Sequence, residues 1–453
     1  MKKICTILFG ILIISRFSSY AKADTLDFDN ILKKAVANSY DLKLANIDVK
    51  ISQASVKEAK SDYFPTLKTG VNYEYNKDMQ SDQSLVTSIG GTVVNQNTMF
   101  QDVASVSLNY NLFDFGVRSN KVLIAKKDVE AKKYTYNQVL RNLKLNTLQA
   151  YTQALLYYKE MRLKEDLLPV YKDMFAMKER MYEAGSVSKL DVMDEALDIA
   201  RTIDSIDNLN KELKASIKDI ESLTMESYES KNIKLDDFDA SDIVPVSNVT
   251  VLKPRIEKNV LFDSDLDLKN TPESKIFQAQ IEGKKAELEV YKRQRYPQIS
   301  FYTNYSFYGN AGTNPYTAIK DIESDNWLLG ISANLMLFDG FKNQGSRQRL
   351  QNEVEKLQVQ KEQKIHEISI KYKKSQEQAK LFEIELKDKQ ELLSDVDNKL
   401  TAIKKLTENQ VTDKTTYLKQ KAELLNQKIE LEKSIINSVS TVKQLEIIST
   451  EYK

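Results

Sequence analysis

Few residues of this chain have a type and spacing suited to covalent chemistry. The one histidine, His366, stands in Ile365-His366-Glu367-Ile368. No second histidine lies one helical turn away to complete a metal site. No glycine-rich loop follows a strand-like run to cradle a phosphate, and no nucleophile motif stands out. The carboxylate pairs are scattered along charged helical runs and read as solvated faces. Ser188 with Asp191 three residues on has the spacing of a helix-capping box. These residues argue against an enzyme and imply no cofactor and no metal.

What remains is the chemistry of interfaces, and two short stretches organise it. Leu112-Phe113-Asp114-Phe115-Gly116 and Leu337-Phe338-Asp339-Gly340-Phe341 each end an alternating run and open a long helical one. Before the first joint, Leu67, Thr69, Val71, Tyr73 and Tyr75 alternate with Lys68, Gly70, Asn72 and Glu74. A polar stretch containing Gly90-Gly91 separates them from Val106, Leu108, Tyr110 and Leu112, which alternate with Ser105, Ser107, Asn109 and Asn111. Before the second joint, Phe301, Tyr305 and Phe307, then Leu329, Ile331, Leu335 and Leu337, form the apolar rows. Period-two alternation with one apolar and one polar face predicts four half-buried strands.

Helices flank the strands. Leu26 to about Tyr63 has helical spacing and stops at Pro65. Phe115 to about Ala184 reads as one long helix, on the order of 100 Å at ~1.5 Å per residue. Pro169 is expected to kink or unwind it, and Gly185 to end it. A second helix runs from near Ser188 to about Met225. The same order then recurs. Asn38 to Pro65 and Asn270 to Pro297 both span 27 residues, and the 73-residue step from Leu112 to Gly185 leads from Leu337 to Gln410. These spacings predict an internal duplication. In the second long helix, Ile365, Tyr372, Ala379, Leu386, Leu393 and Leu400 recur every seven residues, beside Ile368, Phe382, Val396 and Ile403. That is a coiled-coil seam. The plan is therefore repeat one over 24–225, an irregular connector over 226–269 containing Pro245 and Pro254, and repeat two over 270–453.

Composition sets the limits. Glycine (12) and proline (7) are scarce in 453 residues, and 29% are charged, which suits long helices with charged faces. Lys2, Lys3, the apolar run Cys5–Ser15 and Ala21-Lys22-Ala23 read as a secretory signal over 1–23. Its four basic residues take the net charge from +1 to −3 on removal, which argues against a nucleic-acid binder. Cys5, the only cysteine, leaves with it, so the mature chain has no thiol. No later apolar stretch is long enough to cross a bilayer as a helix.

The strands offer another way across. Apolar-out, polar-in alternation is the pattern of a membrane barrel, although soluble hairpins packed on helices share it; the signal and the length of the runs favour the barrel. Four strands cannot close a cylinder, and open edges in lipid leave backbone groups unsatisfied. Subunits must pool strands, and three copies, giving twelve, are the smallest assembly with an open passage.

The chain resembles the TolC family of outer-membrane efflux channels over essentially all of its mature length. The resemblance rests on the two repeats, the helix-Pro-strand entries at Pro65 and Pro297, the joints at Asp114 and Asp339, and the tip Arg180-x4-Gly185-x5-Asp191-Val192. It implies a homotrimeric channel-tunnel, a shared β-barrel in outer-membrane lipid with a long coiled-coil α-helical barrel in the periplasm. A periplasmic adaptor coupled to an inner-membrane pump would dock on its turns. The matching positions are Arg180, Gly185, Ser186 and Val187 in the first repeat, and Gln410 and Val411 in the second. By the same resemblance, Asp191 and Asp194 would line a periplasmic gate that favours cations. Capping remains an equal reading for Asp191. The second repeat departs from the pattern: Gln410 replaces the glycine, and Thr416 and Lys419 replace the acids, which leaves cation preference open. The alternative function is a secreted trimeric coiled-coil structural protein or adhesin; a periplasmic adaptor would carry its hairpin once, not twice.

Overall fold

The computed structural model describes residues 25–75, 100–228, 233–238, 270–311, 315–320 and 323–450. The signal, the glycine pair at 90–91 and most of the connector lie outside them. The chain forms two compact units. One holds the described residues before Tyr40, from Asn142 to Phe238 and from Lys374 to Ser449; the other runs from Tyr40 to Arg141 and from Asn270 to Lys373.

In the first unit, β1 (Thr25–Leu26) pairs in parallel with β4 (Lys234–Leu235). The connector therefore contributes two residues of strand, which its Asp- and Ser-rich composition does not announce. Helix α1 (Phe28–Asn38) follows β1. The helix expected from Leu26 to Tyr63 is two, because Ser39 takes ψ 124° and α2 begins at Tyr40, ending at Ser61. Asn38 and Ser39 offer side-chain hydrogen bonds that compete with the helix ladder, and the Asn38 amide donates to the Thr224 carbonyl at 2.8 Å. The core centres on Tyr151, which is fully buried among Phe28, Leu155, Ile220, Phe238 and Val439. Its hydroxyl lies 2.9 Å from the Leu26 carbonyl oxygen and 2.5 Å from that of Asp236. It thus holds both chain segments beside the short strand pair, and burial pushes its phenol pKa upward.

In the second unit, β2 (Thr66–Tyr75), β3 (Phe100–Phe113), β5 (Gln298–Ala311) and β6 (Glu323–Asn334) form one antiparallel sheet in the order β2-β3-β5-β6. Helix α5 (Pro272–Arg293) precedes β5, with Thr271 accepting the Ser274 N–H as its cap. A six-residue helix, α6 (Pro315–Lys320), lies between β5 and β6. Leu335 and Leu337, expected on the last strand, lie beyond it. The ladder stops where Gln298, the first residue of β5, faces Asn334, so among the described residues no strand pairs with Leu335 to Leu337. Inside this unit Arg141 and Glu273 of α5, both buried, form an ion pair.

The two long helices are α3 (Val117–Glu183) and α7 (Lys342–Glu408), each of 67 residues; each is followed by a shorter one, α4 (Lys189–Thr224) and α8 (Lys414–Thr450). Helix α3 runs unbroken through Pro169. Of the kink or unwinding expected there, the helix shows no unwinding, and the neighbouring Leu167 and Val170 are buried against Leu418, Ala422 and Leu425. On α7 the seven-residue row buries Tyr372, Ala379 and Leu386, with Val396 from the interleaved row, while His366 is exposed.

Candidate functional site: a two-faced sheet and two helical turns

The sheet sorts its side chains by face. Register carries Leu67 opposite Leu108, Leu108 opposite Thr303, and Thr303 opposite Leu329; the next row is Thr69, Val106, Tyr305 and Trp327. On the other face Lys68, Ser107, Asn304 and Leu328 fall in one row, polar but for the leucine, and Gly70, Ser105, Ser306 and Asn326 in another. Leu67, Val71, Tyr73, Trp327, Leu329 and Ile331 are all exposed. Water-facing sheets do not leave an aromatic and aliphatic face of this kind bare; lipid or protein must cover it. Among the described residues no helix is long and apolar enough to cross a membrane.

Each joint below the sheet is an aspartate cap. The Asp114 carboxylate accepts the N–H groups of Gly116 (3.0 Å) and Arg118 (2.9 Å) and the Arg118 Nε (2.9 Å). Both side chains are buried, and the guanidinium lies 5.0 Å from the Tyr63 ring centre. Phe115 and Gly116 turn the chain with φ 54° and 89°. At the second joint Gly340 and Phe341 do the same with φ 67° and 66°, and the exposed Asp339 accepts the Asn343 N–H at 2.8 Å.

The turns between the long and short helices are built alike. Gly185 has φ 74° and Gln410 φ 58°, so the glutamine takes the left-handed conformation expected of the glycine. At α4, the Ser188 hydroxyl accepts the Asp191 N–H at 3.2 Å, and the Asp191 carboxylate accepts the Ser188 N–H at 2.8 Å. The capping box is therefore formed. Hydrogen bonds from the Ser188 hydroxyl and N–H lower the Asp191 pKa, helped by the charges of Lys178 and Lys419. The structure thus brings Lys419 within electrostatic reach of Asp191. Asp194, Thr416 and Lys419 are exposed, as are Arg180, Gly185, Ser186, Gln410 and Val411; Val187 is half-buried.

Sequence reasoning missed three residues here. Asp413 caps α8, accepting the Thr416 N–H at 3.1 Å, and hydrogen bonding to Thr416 lowers its pKa. The acid absent from position 416 thus stands three residues earlier, with serine-then-aspartate replaced by aspartate-then-threonine. An N-cap pattern, Asp then Thr three residues on, was available in the sequence. Lys178 and Glu195 form the other omission: the Lys178 Nζ lies 3.0 Å from the buried Glu195 carboxylate and 3.3 Å from the Asp191 carbonyl oxygen. Only the fold brings these together.

Comparison with known proteins agrees with this geometry. A family model described as outer membrane efflux protein matches residues 31–224. The alkaline protease secretion protein AprF of Pseudomonas aeruginosa is 20% identical over 300 residues, covering 65% of this chain and 58% of that protein. The chain thus matches less than two thirds of that relative's length. Among solved structures, the Campylobacter jejuni CmeC outer membrane channel superposes with a TM-score of 0.71 at 13% identity, covering 94% of this chain and 85% of that one. The outer membrane protein VceC of Vibrio cholerae gives 0.70 at 12% identity, with 94% and 95% covered. CusC, whose structures describe transmembrane channel formation, gives 0.69 at 16%, with 95% and 93% covered. The chain is thus similar in sequence to the outer membrane efflux protein family over residues 31–224, and its fold is similar to that of solved outer membrane channels over nearly its whole length.

Proposed function

We propose that the chain is the outer-membrane subunit of an export system. The observation that carries this reading is the sheet: one face apolar and bare, the other polar, and both edge strands, β2 and β6, without a second neighbour among the described residues. Three copies pool twelve strands into a barrel in the outer-membrane lipid, with the polar rows of Lys68, Ser105, Ser107 and Asn304 lining the passage. The halves 24–225 and 270–453 are copies of one plan, joined by 226–269, and residues 1–23 are the export signal.

The long helices extend the passage into the periplasm as an α-helical barrel. A periplasmic adaptor, coupled to an inner-membrane pump, docks at the turns Arg180–Val187 and Gln410–Val411. Asp191 and Asp194, with Lys419 and Thr416, line the periplasmic mouth. Lys419 offsets part of the charge of Asp191 there, so the mouth is a weaker cation filter than an all-acidic ring. Capping and lining are compatible roles for Asp191, since its carboxylate has accepting capacity left over.

The material exported is polypeptide or small molecules. The name of the AprF relative, which speaks of protease secretion, supports the first, and the family description, which speaks of efflux, supports the second. Membrane fractionation, sizing in detergent and planar-bilayer recording test the channel. A detergent-stable trimer from the outer membrane that conducts ions is the expected result. A water-soluble monomer, or a trimer without conductance, overturns it, the latter in favour of an adhesin. Deleting the gene and profiling both antibiotic susceptibility and the secreted proteins separates the two cargo classes.

A further inference from the structure

We propose that the second strand-to-helix joint is a half-built socket completed by the next copy of the chain, whose Phe64 closes onto Phe338 and Phe341. This rests on the trimeric reading above and adds to it a contact and a strand register. The template lies within the chain. At the first joint Phe115 stacks on Tyr296 with ring centres 5.0 Å apart, Phe113 packs on Phe115 at 4.7 Å, and the Arg293 guanidinium donates to the Phe115 carbonyl at 2.8 Å. The residues leading into β5 thus roof the end of β3, and β3 stays paired through Phe113 opposite Ile299.

The second joint has the same sequence order, Leu-Phe-Asp, followed by glycine and phenylalanine in exchanged positions, so that its ring pair is Phe338 against Phe341 at 5.4 Å, with Phe341 one residue later than Phe115 in the first joint. Among the described residues it has no such roof. Phe338 is 70% exposed, Phe341 69% and Leu337 89%, and β6 ends four residues short of the position that matches Phe113. The roof at the first joint comes from Tyr296-Pro297; the matching pair before β2 is Phe64-Pro65, and Phe64 is 69% exposed. In one chain these surfaces belong to opposite edges of the sheet, β2 and β6, so they cannot meet. Between two copies they meet in the antiparallel sense that β3 and β5 already use.

Register comes from the same template. The pair Val106–Tyr305 becomes Ile331 opposite Tyr73 of the next copy, and Tyr110–Phe301 becomes Leu335 opposite Thr69. Both transferred pairs join the apolar faces, whereas a slip of one residue would turn one strand's apolar row to the polar side. Residues 335–338 then extend β6, as residues 110–113 extend β3.

Disulfide trapping in the full-length chain tests this, with Cys5 the one native cysteine and single variants as controls. Ile331→Cys with Tyr73→Cys, and Phe341→Cys with Phe64→Cys, should each give dimer and trimer bands after mild oxidation. The single variants and the shifted pair Ile331→Cys with Val71→Cys should give at least tenfold less. Bands from the shifted pair alone overturn the register. An amine-reactive cross-linker applied to the unmodified chain reads the trimer separately. A captured trimer with silent predicted pairs overturns the socket but leaves the channel; no oligomer at all overturns both. Should the cysteine variants fail to assemble, Phe64→Ala and Phe341→Ala should each lower the temperature at which the trimer dissociates in SDS, and the double variant no further than the worse single. Additive losses overturn the contact.

Discussion

Gly185 and Gln410 hold the same left-handed backbone at the ends of two helices of 67 residues each, with φ 74° and φ 58°. The hydrogen bonds around them also correspond: Ser186 N–H to the Met181 carbonyl at 2.8 Å, and Val411 N–H to that of Leu406 at 2.9 Å. Only one of the two has the residue suited to that conformation. A side chain there costs roughly 1–2 kcal/mol. Gln410→Gly should therefore stabilise the turn by about 1 kcal/mol, and Gly185→Gln should destabilise by a similar amount. A Cβ at Gly185 meets nothing within 4 Å, so backbone strain alone is at stake. Thermal unfolding of both variants checks the opposite signs.

The caps carry a pH dependence. The carboxyls of Asp191 and Asp413 lie below the ordinary value of 3.8 because each accepts hydrogen bonds in the folded turn. A depressed folded pKa adds stability above the unfolded value, and that stability is lost as pH falls through the folded value. The melting temperature of the parent chain should exceed that of Asp413→Asn at neutral pH. The difference should persist down to about pH 4 and shrink below it. A difference that stays constant into strong acid would remove the cap from the explanation.

Asp114 and Asp339 occupy the same place in the two joints but differ in burial. Asp114 and Arg118 are desolvated together, so Asp114→Ala leaves a buried guanidinium bonded only to the Asp62 and Leu112 carbonyls and without its counter-charge, at a cost of about 3 kcal/mol. Asp339→Ala removes an exposed cap and should cost about 1 kcal/mol. Denaturant unfolding of the two variants in detergent compares them directly; equal losses would contradict the difference in burial.

For conduction, Asp191→Asn with Asp194→Asn should change single-channel conductance or cation block in planar bilayers, and Lys419→Gln should strengthen cation preference. Ser188→Ala removes the hydroxyl half of the cap and retains both carboxylates. It should cost about 1 kcal/mol of stability with little change in conductance. Unchanged traces in the double asparagine variant would reduce both acids to structural roles.

Sequence alone determined the elements. Alternation marked four strands, seven-residue spacing marked the buried row of α7, and Leu112 to Gly185 measured against Leu337 to Gln410 located the second turn, because these patterns are local and periodic. Only tertiary structure decided what depends on neighbours distant in sequence: the break at Ser39, the pairing of Thr25–Leu26 with Lys234–Leu235, and the ion pair of Lys178 with the buried Glu195. The same holds for the unequal burial of Asp114 and Asp339. Their local sequences are nearly alike, but β3 stays paired with β5 as far as Phe113, next to Asp114, whereas the β5–β6 ladder ends at Asn334, and among the described residues no strand pairs beyond it towards Asp339.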